Sequence, residues 1–175
     1  MDYREYRENE SVAAVLNRLE QDDRLRVDMS VLDELNNYTV YGKRQRDIAS
    51  ARYKTREDLH VLASQYETTQ MYRSRVCRIR TGHLSIQRVL KRMWSMGLAS
   101  VYGIEAVRKL SPAPNRDAVM NTILEPLRER LDDCELIVET AAEVEKLLSN
   151  AYFTLKELRG INEAFLDERR KDRNV

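Results

Sequence analysis

Apolar side chains recur at three- and four-residue steps along most of the chain, which is the spacing of one face of an α-helix. The longest such series runs from Ile123 to Phe165. It predicts one continuous helix over Pro126–Arg159, with the proline at a kink or in the first turn and Gly160 at the end or at a weak point. A helix of about 50 Å must bury its apolar face within the chain or against other subunits.

Shorter helical patterns precede this series. Ser11 and Ser30 are candidate N-caps of two helices, and residues 43–70 contain neither Gly nor Pro. Their narrow apolar stripe favours a helical hairpin or a coiled coil. The next block, 71–103, is punctuated by glycines, which predict weak points in any helix there. The sequence therefore predicts an all-α fold of long antiparallel helices, a helical hairpin with coiled-coil-like association.

The domain organisation follows from composition along the chain. We predict acidic N-terminal helices over 1–42, a basic helical region over 43–110, a Pro-containing linker over 111–116 and a long C-terminal helix over 117–175. The C-terminal helix is interpreted as the association surface of a homo-oligomer. Its candidate oligomerisation residues are Leu127, Ile137, Val144, Leu148 and Leu155.

Charge is unevenly distributed in a chain whose net charge is only +1. Residues 43–103 hold 13 Lys and Arg against four Asp and Glu, whereas both flanking regions are net acidic. Arginine outnumbers lysine by ten to three in this block, and its planar fork suits phosphate contacts and base stacking. The segregation indicates a polyanionic partner, with pairing to the acidic flanks as the alternative.

Aromatic residues are interleaved with these cations, a combination typical of single-stranded nucleic-acid binding. The candidate nucleic-acid-binding residues are Lys43, Arg44, Arg46, Arg52, Lys54, Arg56, Arg73, Arg75, Arg78 and Arg80. The candidate stacking residues are Tyr41, Tyr53 and Tyr72, although tyrosines at helical spacing are more often core residues.

Enzymatic and metal-binding patterns do not stand out. Nucleophile-elbow, phosphate-loop, dinucleotide-binding and zinc-protease motifs are lacking, and two Cys and two His without ligand spacing do not make a zinc site. Cys77 lies between two arginines and is a weak candidate for a reactive thiol, whereas Cys134 falls on the apolar stripe. We expect a non-catalytic cytoplasmic protein (host cytoplasm if viral) with no cofactor, metal or membrane segment.

Two segments resemble the UvsY-type recombination mediators of tailed phages. They are 19–43, with its acidic helix, its apolar-Asp step at Val27-Asp28 and Tyr41-Gly42-Lys43, and 148–156, which is similar to the family's final helix. In that family a long charged helix ends near a tyrosine, here Tyr66. The chain departs from the family at Leu62–Gln65, which lacks a basic pair, and 71–115 has no counterpart there. The resemblance implies a helical oligomer that binds single-stranded DNA and helps a recombinase displace single-strand-binding protein.

Two other functional classes fit parts of the sequence. Leu84–Leu98 resembles the recognition helix of winged-helix regulators, in which a Ser-led helix ends in a Gly-Leu turn before a two-stranded wing. The alternative is a structural helical virion or scaffold component, in which the C-terminal apolar stripe is itself the function.

Overall fold

The computed structural model describes residues 3–48, 56–110 and 113–173, which form helices and short connections without a strand. The α-helices are α1 (Glu10–Gln21), α2 (Val31–Ile48), α3 (Arg56–Gly103), α4 (Glu105–Arg108), α5 (Ala113–Ile123) and α6 (Glu125–Arg173). Two short 3₁₀ helices flank α1, at Tyr3–Glu8 and Asp23–Leu25. The all-α prediction is confirmed.

Short polar side chains define the ends of α1. The N-cap is Asn9, whose Oδ1 accepts a hydrogen bond of 3.2 Å from the Ser11 amide. Ser11 therefore lies inside the helix, and its prediction as the cap was wrong by two residues. Asp22 closes α1, and its carboxylate accepts from the Arg24 amide to start the 3₁₀ turn that follows. α2 begins at Val31, directly after Ser30, as predicted.

Both long helices continue through glycines that were predicted to interrupt or end them. α3 passes through Gly82 and Gly97, and α6 passes through Gly160. A glycine costs a helix only about 1 kcal/mol relative to alanine. Packing along many turns outweighs that cost, so these predicted breaks were wrong.

The predicted linker over 111–116 is helical from Ala113 onward, where α5 begins. Pro114 lies in the first turn of α5 and Pro126 in the first turn of α6, positions whose amides have no intrahelical partner. Residues 111 and 112 lie outside the described residues. The same two prolines that suggested a linker and a kink therefore help to start helices.

The chain divides into two compact units that each combine segments distant in sequence. Unit 1 comprises residues 1–29 and 81–138, and unit 2 comprises 30–80 and 139–175. The four successive regions predicted from composition do not anticipate this grouping. Composition varies along the chain, whereas each unit is defined by its internal tertiary contacts. In each unit, one part of α3 and one part of α6 group with shorter helices.

Unit 1 packs α1 against the second part of α3 and the first part of α6. One buried cluster contains Leu19 of α1, Leu90 of α3 and Leu127 of α6. On α3, Gly97 lies against Leu124, the residue that connects α5 to α6, and an added Cβ would approach a Leu124 methyl to 3.0 Å. The carbonyl of His83, further back along α3, accepts a hydrogen bond from the buried thiol of Cys134. Going forward along α3, the contacts go backward along the chain toward the start of α6, so α3 and α6 are antiparallel in unit 1.

Unit 2 packs α2, the first part of α3 and the second part of α6. Arg80 of α3 pairs with Glu145 of α6, whereas Tyr66 pairs with Tyr152, so the two helices are again antiparallel. Gly42 allows a close approach of α2 to α6, because a Cβ there would lie 3.0 Å from the Leu147 side chain. The prediction of long antiparallel helices is confirmed.

The structure corrects the role assigned to the C-terminal apolar stripe. The five candidate oligomerisation residues have exposed fractions of 3% or less within a single chain. They are Leu127, Ile137, Val144, Leu148 and Leu155. Because α1, α2 and α3 already cover this face, these side chains belong to the intrachain core and offer no surface to a second subunit. Homo-oligomerisation itself stays a prediction.

Candidate nucleic-acid interface

Three of the four candidate arginines between positions 73 and 80 of α3 are engaged inside unit 2. Arg75 donates two hydrogen bonds to Glu34 of α2, at 2.8 and 3.0 Å. Arg80 donates to Glu145 of α6 at 2.9 Å. Arg73 donates to the Ser149 hydroxyl at 3.2 Å and lies over the ring of Tyr152, 4.5 Å from its centroid. The alternative of internal charge pairing therefore holds for part of the basic block.

The fourth arginine, Arg78, is exposed and makes no ion pair with any described residue. It lies on the outer side of α3, in line with Gln70 and Ser74 at helical four-residue steps. These three residues border two open grooves of about 580 and 530 Å³ in unit 2. Arg78 thus presents a positive charge, unpaired among the described residues, at the edge of two surface grooves.

Lys43 and Arg44 of α2 are also exposed, and the described residues provide no carboxylate partner for either. Glu34 of α2 pairs with α3 at Arg75, whereas Tyr41 pairs with Gln65, so α2 and α3 are antiparallel. The two cations of α2 therefore lie about 18–20 Å along its axis from the level of Arg78. They form a second, separate cationic group in unit 2.

Other candidate residues lie at or beyond the ends of α2 and α3. Arg52, Tyr53 and Lys54 lie outside the described residues. Arg46 belongs to α2 and Arg56 begins α3, but neither side chain is among those described. The cations at 43–46 and at 56 were predicted to share one helix. They occupy two, because α2 ends at Ile48 and α3 begins at Arg56.

The candidate stacking tyrosines of unit 2 are packed against one another. The ring centroid of Tyr72 lies 4.5 Å from that of Tyr38 and 4.8 Å from that of Tyr41, which meets it edge-on. The Tyr41 hydroxyl donates to the Gln65 carbonyl at 3.1 Å and lies 3.1 Å from the Thr69 hydroxyl. Tyr41 is therefore a core residue, and Tyr72 keeps only part of its ring accessible from the groove.

The pKa shifts in this part of unit 2 have local causes. The Arg75 guanidinium, through its hydrogen bonds, lowers the pKa of the Glu34 carboxyl. Burial and a 2.6 Å hydrogen bond to Glu34 raise the pKa of Tyr38 to about 12. Burial likewise raises the pKa of Tyr41. These directions describe a stabilised ion pair and buried phenols and do not indicate an acid or a base prepared for proton transfer.

Unit 1 carries a pair of cations that belong to the predicted basic region but were not among the candidate binding residues. Arg88 and Arg92 are exposed on α3, one helical turn apart, and have no ion-pair partner among the described residues. Lys91 between them pairs with Glu135 of α6 at 2.8 Å. The signal was available in the sequence, because Leu90 and Met93 mark the buried face of this stretch and place both arginines on the opposite side.

The structure also bears on the two cysteines, on metal binding and on the segment that resembles a winged-helix recognition helix. Cys77 is exposed beside Arg73 and Arg78, and Cys134 is buried. Among the described residues, no three His, Cys, Asp or Glu side chains are grouped closely enough to hold a metal ion. The segment resembling a winged-helix recognition helix is the interior of α3, and residues 105–108 form α4 where the first strand of a wing was required.

The long helix that was expected to end near Tyr66 instead continues to Gly103, contrary to the pattern of the mediator family. The part of the chain that the structure describes contains no helix both long and apolar enough to cross a bilayer. Comparison with family models, with curated proteins and with solved structures found no match to this chain.

Proposed function

We propose that this protein is a non-catalytic accessory protein that binds single-stranded DNA along its phosphate backbone. The observation that carries the proposal is the group of exposed cations on α2 and α3 without carboxylate partners among the described residues. They are Lys43, Arg44 and Arg78 in unit 2 and Arg88 and Arg92 in unit 1. Such side chains neutralise phosphates and release counterions, which favours binding without sequence readout.

A single strand fits this surface better than a duplex does. The open cations stand on the sides of α2 and α3, and the described segment that resembles a recognition helix is the interior of α3. A flexible strand follows cations at irregular separations, whereas a rigid duplex requires them to match the spacing of its grooves. The same reasoning disfavours the winged-helix alternative.

The finer proposal is that of a recombination mediator acting in DNA recombination and repair. It rests on the resemblance of 19–43 and 148–156 to the UvsY-type proteins of tailed phages. A mediator of this kind would act as a homo-oligomer in the cytoplasm, the host cytoplasm if viral, and contact a recombinase and a single-strand-binding protein. The continuation of α3 beyond Tyr66 weighs against a close match to that family.

A structural role, as a virion or scaffold component, is the second candidate. The observation that favours it is the number of large apolar side chains that stay exposed on the two long helices. Met71, Met96, Phe153 and Ile161 have exposed fractions between 53% and 66%. Apolar side chains left exposed in one chain are available for burial against another chain.

Fluorescence anisotropy with a labelled single-stranded 30-mer tests the main proposal. We expect binding at about 50 mM salt, with an affinity that falls steeply as salt increases. In a variant carrying Arg88→Gln and Arg92→Gln, the slope of log affinity against log salt should decrease by about 0.7 for each phosphate that is no longer neutralised. The unaltered protein and the variant should have the same helical circular dichroism.

Matched controls come from cations that already have partners. Lys109 pairs with Glu105 at 2.5 Å and Arg159 with Glu163 at 2.8 Å, both on exposed surfaces. Lys109→Gln and Arg159→Gln should leave the salt slope unchanged. Absence of binding at low salt would refute the proposal, and a large defined assembly under the same conditions would favour the structural alternative.

A further inference from the structure

The larger of the two grooves in unit 2 is lined by side chains whose charge changes from one end to the other along α3. Its volume is about 580 Å³, and it is lined by side chains of α3 and by Tyr38 of α2. Glu67 lies toward one end and Arg78 toward the other, about 16 Å apart along the α3 axis. Between them lie Met71, which is 64% exposed, and Tyr72. The groove is therefore acidic at one end, apolar and aromatic in the middle, and basic at the other.

The charges at the two ends are not cancelled by neighbours of opposite sign. Arg75 also lines the groove, but its charge is matched by Glu34. Arg78 and Glu67 form no ion pair within the described residues, and Arg159, whose pKa Glu67 helps to raise, is itself paired with Glu163. Among the described residues, the basic end thus keeps a cation and the acidic end a carboxylate that are not held in an ion pair.

We infer that this groove holds one unpaired nucleotide of the bound strand, with its phosphate at Arg78, its base against Met71 and Tyr72, and its exocyclic amino group toward Glu67. The inference rests on the proposed function and names the ligand of one part of that surface. The volume is within the range of about 300–1,000 Å³ found for small-molecule sites.

Each part of a nucleotide finds a chemical match in this order. A guanidinium pairs with a phosphate. A thioether and an aromatic ring contact the flat face of a base. A carboxylate accepts a hydrogen bond from the amino group of cytosine but not from the carbonyl that thymine carries at the same position.

An acidic polypeptide fits less well than a nucleotide. Its carboxylates would meet Arg78 favourably, but they would be repelled by Glu67 at the other end. A nucleotide presents an anion at one end and amino donors at the other, which is the arrangement that the groove complements. The inference therefore specifies a base preference, cytosine over thymine, which simple phosphate binding does not produce.

Anisotropy with the full chain and three labelled 12-mers tests this inference. The oligomers are oligo(dC), oligo(dT) and an abasic strand with the same number of phosphates. We expect oligo(dC) to bind about tenfold more tightly than the abasic strand, the effect of one base contact, with oligo(dT) between them. Glu67→Gln should bring oligo(dT) to the level of oligo(dC), because an amide offers both a donor and an acceptor.

A second variant tests the groove by filling it. Ser74 is exposed and lines the groove, so Ser74→Trp should reduce the affinity for oligo(dC) to that for the abasic strand. Ser64→Trp is the matched control, since Ser64 is exposed on the same helix and does not line the groove. Oligo(rC) should bind through the same subsite, and a weaker affinity than that of oligo(dC) would identify DNA as the source of the nucleotide.

The outcomes separate failure of this inference from failure of the proposed function. Equal affinities of the unaltered protein for all three 12-mers would overturn the nucleotide subsite and leave phosphate binding intact. No binding of any strand at low salt would overturn both. Displacement of oligo(dC) by a polyglutamate peptide of the same charge, at the same concentration as unlabelled oligo(dC), would assign the groove to an acidic polypeptide and overturn the subsite.

Discussion

Arg75 and Glu34, 41 residues apart in sequence, form a two-pronged ion pair between α3 and α2, with Nε–Oε1 and Nη2–Oε2 distances of 2.8 and 3.0 Å. The Tyr38 hydroxyl donates to the same carboxylate at 2.6 Å. This arrangement fixes the antiparallel register of the two helices in unit 2. It also removes Arg75 from the set of cations open to phosphate and leaves Arg78 to fill that role.

Glu34→Gln should destabilise the protein by less than about 1 kcal/mol at pH 7, since the pair is partly exposed. The folded-state pKa of Glu34 is depressed below its ordinary value of 4.5, mainly by Arg75. The contribution of the pair is therefore present above pH 4.5 and is lost as the pH falls through the depressed pKa. Urea unfolding of both proteins from about pH 7 to about pH 3 should show the difference closing at the acid end.

A suitable control for this pH series is Glu143→Gln. Glu143 is exposed on α6 in the same unit, and no described residue forms an ion pair with it. Its difference from the unaltered protein should stay small and constant over the whole range. A Glu34→Gln difference that widens in acid would contradict the depressed pKa.

The two cysteines should react very differently with a thiol reagent. Cys77 is exposed, whereas Cys134 is fully buried, its thiol donates to the His83 carbonyl, and burial raises its pKa to about 11. At about pH 8 the native protein should therefore gain one maleimide adduct, at Cys77, and the urea-unfolded protein should gain two. Intact mass and peptide mapping provide the measurement. Rapid double modification of the native protein would place Cys134 outside the core.

Arg7 should contribute measurably to the stability of unit 1. It donates to the carbonyls of Ile123 and Thr122, at 2.9 and 2.8 Å, and to the carboxylate of Glu125 at 3.0 Å. These bonds tie the N-terminal 3₁₀ helix to the end of α5, where backbone carbonyls lack intrahelical partners. Arg7→Gln should lower the free energy of unfolding by about 1–3 kcal/mol. Lys109→Gln, at an exposed pair, should change it by less than about 0.5 kcal/mol.

The periodicity of the sequence was sufficient to predict the long helices and their antiparallel pairing. Residues such as Ile137 and Leu148 recur at helical spacing, which requires that one face of α6 be buried. The pattern does not identify what buries that face, and we assigned to a second subunit a surface that the chain covers by itself. Helix ends were also poorly predicted, because Gly82 and Gly160 cost less than the packing of their neighbours supplies.

The candidate site was predicted only in part. The excess of cations was evident, but pairing such as Arg75 with Glu34 arises from tertiary packing and is invisible in local composition. Arg88 and Arg92 could have been selected because Leu90 and Met93 mark the buried face of the same stretch. The polarity of the Glu67–Arg78 groove depends on which charges have partners, so only the folded chain reveals it.

The revised role of the apolar stripe leads to a prediction about Leu148. Since Leu148 is fully buried within one chain, Leu148→Ala should lower the free energy of unfolding by about 2–5 kcal/mol. The exposed Phe153 on the same helix is the control, and Phe153→Ala should cost under about 1 kcal/mol. Light scattering should give the same native mass for both variants and the unaltered protein. Dissociation of an assembly by Leu148→Ala, with stability unchanged, would restore the stripe as an association surface.

Substitution of glycine should have opposite effects on stability at open and at closely packed positions of the helices. Apart from the adjacent residues and the local helix backbone, no atom lies within 4 Å of a Cβ added at Gly82 or Gly160, so alanine at either position improves helix propensity without a clash. Gly82→Ala and Gly160→Ala should each raise the free energy of unfolding by about 0.5–1 kcal/mol.

At Gly42 a Cβ already reaches the Leu147 side chain at 3.0 Å. Gly42→Leu should therefore destabilise the protein by about 1–3 kcal/mol through overpacking, because α2 must move away from α6 to admit it. Urea midpoints of the three variants test the contrast directly, and a stabilising Gly42→Leu would mean that α2 and α6 are not in close contact at this position.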